Sequence, residues 1–173
     1  NYAGQKYIAF RHFNCSDQFI LNIDDVDIFA QPTGPTIIAN ATSLDFGTVP
    51  AGSNSAAQSV VLTTYNLTAD VTATTAAPFE VSANGTTFGT TATVASTGGT
   101  LYVRYAPTAV GTQNGSVTLS STGATAVTVS LTGNAVDCSN NTIPYTFNFD
   151  NEAQAQCWQT IDANNDGYSF NIN

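Results

Sequence analysis

Leu101 to Asn134 reads LYVRYAPTAVGTQNGSVTLSSTGATAVTVSLTGN. Leu101, Val103 and Tyr105 alternate with Tyr102, Arg104 and Ala106, the two-residue period of a strand with one buried face. Pro107 cannot donate to a ladder, and Gly111 and Asn114-Gly115 punctuate the next ten residues, so a turn is expected there. Val117 and Leu119 then alternate with Ser and Thr. Ser121-Thr122-Gly123 makes another turn, and Val127, Val129 and Leu131 repeat the alternation up to Gly133. Strand, Pro/Gly connection, strand, short turn, strand predicts the closing meander of an antiparallel β-sandwich.

Working outward, residues 37–136 supply the rest of that sandwich. Leu44 and Phe46 with Gly47 begin it, and Val49-Pro50-Ala51-Gly52 turns a corner. Val61, Thr63, Tyr65 and Leu67 mark a strand, followed by a Thr/Ala-rich strand near Asp70–Ala76. Pro78-Phe79-Glu80-Val81 and Thr91–Ala95 add two more. The predicted core is Phe46, Leu62, Phe79, Leu101, Val103, Val117, Val129 and Leu131. About a hundred residues and seven strands suit an immunoglobulin-like sandwich. The wording VRYAPTAVGTQNGSVTLSS, ending in VSLTGNA, with FGTVPAG and PFEVS upstream, resembles the bacterial immunoglobulin-like domains of the Hydin and "choice-of-anchor D" type. That resemblance implies a fold and no chemistry, since such modules space and present other domains.

Composition narrows the function classes. Of 173 residues only 9% are charged, Lys6, Arg11 and Arg104 are the only strong bases, and the net charge is −9. Thr, Ser, Asn, Ala and Gly occupy the surface positions instead, the profile of an extracellular bacterial β-protein. Nucleic acid is argued against, because phosphate neutralisation needs clustered Lys and Arg. An anionic membrane surface is argued against for the same reason, and no apolar run approaches the roughly 20 residues that span a bilayer. The charge permits cation binding. With no initiator Met and no signal-like stretch, the sequence reads as a mature or excised segment.

The two ends differ from the middle. Residues 1–29 read as two strands. Ile8, Phe10 and His12 share one face, and Phe19, Leu21 and Ile23 give way to Val26 and Ile28 on the other parity. The phase change at Asp24-Asp25 is that of a β-bulge, or of a strand buried on both faces. Ala30 to Thr36, AQPTGPT, is a linker whose Pro32, Gly34 and Pro35 deny it helix and interior strand. Residues 137–173 hold a strand at Pro144–Asp150 and the start of another at Cys157–Asp162. Two or three strands do not bury a core alone, so each end needs a partner.

Three cysteines, Cys15, Cys138 and Cys157, are an odd count. Cys138 and Cys157 flank one expected strand, which favours a disulfide between them in an extracellular setting; two buried thiols are the alternative. Cys15 is then unpaired or joined to a partner. His12 and Cys15 have odd spacing on an extended segment and point to opposite faces, a poor arrangement for Cys–His catalysis. No GxSxG or HExxH pattern accompanies the Asp24, Asp25, Asp27 cluster. The chain is expected not to be an enzyme.

Asp162, Asn164 and Asp166 place oxygen ligands at alternate positions, with Gly167 where the chain bends. Ca²⁺ takes six to eight such oxygens, and this spacing wraps a loop around it. The twelfth position is Asn173 rather than Glu, and the flanks read as strands, which argues against an EF-hand. A solvated Asn/Asp turn is the competing reading. The stretches YIAFRHFNCSD with LNIDDVDI, and IPYTFNFD with CWQTIDANNDG, resemble the closing and opening strands of the "cleaved adhesin" jelly-roll domains of gingipain-type haemagglutinins. The resemblance implies calcium held by this loop together with last-strand acids, here Asp24 and Asp25 of the preceding jelly roll.

The expectation is therefore all-β, an immunoglobulin-like sandwich flanked by partial jelly-roll strands. Residues 1–29 close one jelly roll, 30–36 link, 37–136 form the sandwich and 137–173 open a second jelly roll. The implied function is a non-catalytic spacer joining calcium-binding adhesin modules of a large, secreted, repetitive surface protein, exported by a type IX route. Its partners would be neighbouring copies or the remainder of the same protein, with a host protein, matrix protein or glycan as ligand. The rival readings are an accessory region of a secreted enzyme such as a protease, and a carbohydrate-binding module with Trp158 as its platform.

Overall fold

In the computed structural model the described residues are 31–138 and Cys157. They form nine strands and no helix: β1 Thr36–Ala39, β2 Ser43–Pro50, β3 Gln58–Tyr65, β4 Val71–Thr74, β5 Phe79–Ser82, β6 Thr91–Val94, β7 Gly99–Tyr105, β8 Gly111–Ser120 and β9 Val127–Val136. One sheet has the order β1-β3-β7-β5 and the other β2-β9-β8-β4-β6. The fold is an all-β, immunoglobulin-like sandwich. The chain divides into a unit of residues Asn1–Gln31 and one of Pro32–Asn173.

Period-two alternation places the core. Leu101, Val103 and Tyr105 of β7 turn inward onto Val117 and Leu119 of β8 and Val129 and Leu131 of β9, all essentially without solvent exposure. Every residue of the predicted core is buried. Both sheets contribute alternate residues to it, as two facing sheets must. β3 buries Leu62 together with Val60, leaving Val61 between them 45% exposed. The run VVLTTY is apolar at both parities where the strand begins, so alternation alone does not choose the inner face.

The chain changes sheets at every connection except that between β8 and β9. β1 pairs antiparallel with β3, whereas β2 runs parallel to β9 in the other sheet. Asn40 marks the crossing: its N–H donates to the Val61 carbonyl at 3.1 Å and its Oδ1 accepts from the Val61 N–H at 2.8 Å. An amide side chain that replaces a backbone partner lets the ladder end there. A later change carries β4 through Thr75–Pro78 into β5, across a cis Ala77-Pro78 bond. There are nine strands where seven were expected, and the sandwich begins at Thr36, before Leu44.

The closing stretch is not a meander. β8 and β9 form a hairpin with continuous register from Gly111↔Ala135 to Leu119↔Val127, but β7 lies between β3 and β5 in the opposite sheet. Residues 106–110 cross from one sheet to the other. Alternation reports which face of a strand is buried and is silent on which sheet holds it. Asn114-Gly115 is likewise no turn, for Gly115 sits within β8 opposite Leu131. A Cβ there would lie 2.7 Å from the Phe79 ring, and one at Gly133 of β9 would lie 2.7 Å from the Tyr105 ring. Both glycines are places where a ring rests directly on a strand. Phe79 and Tyr105 stack with centroids 5.1 Å apart, and Phe46 lies 5.9 Å from Phe79.

Candidate functional site

The two poles of the sandwich are where the flanking stretches join it. β1 begins opposite Tyr65 at the end of β3, and β9 ends opposite Pro50 at the end of β2. The ten residues of β9 run from the first pole to the second, about 3.3 Å per residue. The chain thus arrives at one pole and leaves from the other.

At the N-terminal pole the incoming segment is tied down. Asn66 follows β3 with φ +53°, a left-handed conformation that Asn tolerates better than most residues. Its Nδ2 donates to the carbonyls of Pro32 at 2.8 Å and Gly34 at 3.3 Å, and Thr36 Oγ1 donates to Gly34 at 3.1 Å. A Cβ on Gly123, in the β8–β9 turn, would touch the Pro35 ring at 3.5 Å. Asn66 belongs to an N-x-T sequon, but its side chain already serves as this clamp. The sequence signal for it is only the turn preference of Asn.

At the C-terminal pole the 51–57 loop is stitched to β9, to β7 and to the connection that follows β7. Ala51 N–H donates to the Val136 carbonyl at 2.9 Å, Gly52 N–H to Pro107 at 2.7 Å and Ser55 N–H to Tyr105 at 2.8 Å. Ser55 Oγ accepts from the Tyr105 N–H at 2.9 Å. The Tyr105 hydroxyl donates to Gln113 Oε1, and Gln113 Nε2 donates to the Ala109 carbonyl at 2.9 Å. Burial pushes the Tyr105 phenol above its ordinary value. Asp137 alone separates the end of β9 from Cys138, which is disulfide-bonded to Cys157 with a Cα–Cα distance of 5.1 Å. The outgoing stretch is therefore cross-linked two residues beyond the last strand. Val110, 59% exposed, is the most exposed large apolar side chain of the described residues and sits in the 106–110 connection.

Elsewhere the described charges serve structure. Arg104, the one strong base between residues 31 and 138, donates through Nε and Nη2 to Glu80 Oε2, both at 2.7 Å. Its guanidinium lies 4.2 Å from the Phe88 ring centroid. Asp45 Oδ1 accepts from the Gly47 N–H and Asp70 Oδ1 from the Ser96 N–H. Among the described residues no three His, Cys, Asp or Glu side chains come together as a metal site. The expected calcium ligands Asp162, Asn164, Asp166, Asp24 and Asp25 lie outside the described residues, as do His12, Cys15 and Trp158.

Comparison with known proteins bears on both ends of the chain. The family model of the Cleaved Adhesin Domain matches residues 2–28 and 142–173. Both flanks are thus similar to adhesin-module sequence. Hemagglutinin A of Porphyromonas gingivalis strain W83 is 45% identical over 49 residues, 28% of this chain and 2% of that protein. Lys-gingipain of strain ATCC 33277 is 43% identical over 49 residues, 26% of this chain and 3% of that protein. The chain spans only 2–3% of the length of these curated relatives. Among solved structures, the ASH/PapD-like domain 7 of human CEP192 aligns with 69% of this chain and 99% of its own, at 15% identity and a TM-score of 0.40.

Proposed function

We propose that this chain is a non-catalytic segment of a larger secreted surface protein, in which the sandwich is an in-line spacer between two adhesin modules. The observation that carries the reading is polar entry and exit. Two stretches that match one adhesin family model are attached to opposite ends of a sandwich. Asn66 holds the entering segment at Pro32 at one pole, and the Cys138–Cys157 disulfide cross-links the exit at the other. The low content of charged residues and the disulfide fit an extracellular location.

A swap tests it. In the parent protein, residues 36–136 are replaced by an unrelated sandwich of equal pole-to-pole length. Adhesion to the host cell should survive, and a flexible linker of equal residue number should weaken it. Loss of adhesion with the rigid substitute would make the sandwich itself the ligand-binding element. The similarity to Lys-gingipain favours a second reading, an accessory region of a secreted protease. Finding a protease domain in the same precursor would decide for it.

Calcium belongs to this proposal on the Asp162, Asn164, Asp166 spacing alone. Ca²⁺ that binds only the folded form adds about 2.7 kcal/mol at a hundredfold excess over Kd. Chelation should lower the melting temperature of a complete adhesin module. The pair Asp162→Asn and Asp166→Asn should do the same and leave the melting of the sandwich unchanged. A module insensitive to both makes the loop an ordinary polar turn.

A further inference from the structure

We propose that the notch between β4 and β8 accepts an extended, uncharged peptide strand, which would add to the free edge of β8. β8 pairs with β9 from Gly111 to Leu119 but with β4 only from Thr118 to Ser120. Beyond Thr74 the β4 chain peels away toward the other sheet, and a cleft of 330 Å³ opens between Thr74–Ala77 and Asn114–Thr118. That volume lies at the lower end of the roughly 300–1,000 Å³ of ligand clefts.

The edge facing the cleft is set by parity. Ser116 turns its carbonyl toward the β4 side, where Thr75 Oγ1 donates to it at 2.9 Å. Asn114 and Thr112, two and four residues earlier, face the same way. Consistently, they meet β9 through side chains: Thr132 Oγ1 donates to Asn114 Oδ1 at 3.1 Å, and Thr112 Oγ1 to Asn134 Oδ1 at 3.2 Å. Such side-chain approach marks the non-hydrogen-bonded positions of an antiparallel pair. The main-chain groups of Thr112 and Asn114 therefore point into the notch.

The other edges of the sandwich are blunted. β1 and β6 have four residues each, β2 carries an irregularity between Asp45 and Thr48, and β5 is closed by mutual hydrogen bonds between Val81 and Gly89. Short, bulged or covered edges discourage strand addition. Among the described residues, the β8 edge has none of these devices from Thr112 to Asn114, before the Thr75 hydroxyl meets it at Ser116. The walls of the notch are Thr, Ala, Asn, Gly and Ser with no charge, so they suit an occupant with small, uncharged side chains. Main-chain hydrogen bonds supply the affinity in this mode of recognition, which tolerates sequence variation.

The test uses the 173-residue chain and the synthetic end-capped peptide VTATTA, which copies Val71–Ala76, the stretch whose Thr72–Thr74 already pair with β8. Hydrogen exchange of the Thr112 and Asn114 amides should slow about a hundredfold at a hundredfold excess of peptide over Kd, because exchange proceeds through the free state. Asn114→Pro removes the donor that faces the notch, and Ala76→Lys fills the notch from an exposed position. Both should abolish the protection. The second variant keeps the test valid if the first does not fold. Unchanged exchange at millimolar peptide, or equal binding by folded Ala76→Lys, overturns the proposal.

Discussion

The two halves of the sandwich core are filled in different ways. Toward the C-terminal pole three rings, Phe46, Phe79 and Tyr105, lie within 6.3 Å of one another and rest on Gly115 and Gly133. Toward the N-terminal pole the filling is aliphatic, with Ile37, Leu62, Val71, Val94 and Leu119. A ring laid flat on a strand needs a missing side chain beneath it, so the aromatic half is fixed by shape. The aliphatic half is built from small branched residues, which repack with less displacement. The two halves should therefore differ in their tolerance to substitution.

The largest effect is expected from Phe79→Ala. The ring is wholly buried and contacts both other aromatics, so truncation should cost about 3–5 kcal/mol. Val71→Ala, equally buried in the aliphatic half, should cost about 1–3 kcal/mol. Denaturant unfolding of the two variants measures the contrast. Equal losses would mean that the rings pack no more tightly than the valines.

Next comes addition of a single methyl group. Gly133→Ala and Gly115→Ala each drive a Cβ to 2.7 Å from a ring, an overpacking that should cost about 1–3 kcal/mol. Gly115→Ala should couple to Phe79→Leu, because removing the ring makes room for the methyl group. It should be additive with Val71→Ala, with which it shares no packing partner. Additivity in both pairs would break the link between ring and glycine.

The alkaline limb of stability should belong to Tyr105. Burial raises its phenol above 10.0, so the folded state holds the proton more tightly than the unfolded chain does. That contribution is complete below the unfolded value and is lost as pH rises through the raised one. Stability should therefore fall above about pH 10. Tyr105→Phe, which gives up the hydroxyl's bond to Gln113, should flatten that fall while lowering stability at neutral pH. A parallel fall in both proteins would assign the alkaline limb to other groups.

The strands and the buried parity of β7, β8 and β9 are legible in the sequence, because each has one apolar face. The sheet changes at Asn40 and at Thr75–Pro78 are not, since alternation is the same on either sheet. Gly115 escapes for a related reason. A glycine under a ring and a glycine in a turn look alike until the ring's position is known, and Phe79 is 36 residues away. Of the site residues, Cys138 and Cys157 are joined in the structure, while the calcium positions lie outside the described residues. The Asn66 clamp leaves no sequence trace beyond an Asn after a strand.

The smallest effect sharpens the comparison from outside the core. Glu80 and Arg104 sit on the outer face above Val81 and Val103, and their side chains are 30% and 27% exposed. Both Arg104 bonds go to one oxygen of Glu80, so the pair lacks the parallel two-oxygen geometry that makes such bridges strong. Water and salt screen what remains, and the coupling between the two charges should be about 0.2–1 kcal/mol. Stacking on Phe88 should add about 0.5–1 kcal/mol, and unlike the ion pair it should persist at high salt. A double-mutant cycle of Glu80→Gln with Arg104→Gln, repeated in about 1 M salt, separates the two, since screening there acts within about 3 Å. The Glu80 coupling should fade, while Phe88→Ala should keep its coupling to Arg104. A salt-independent Glu80 coupling above ~2 kcal/mol would mean that this outer pair, rather than the ring and glycine contacts inside, sets the stability of the aromatic half.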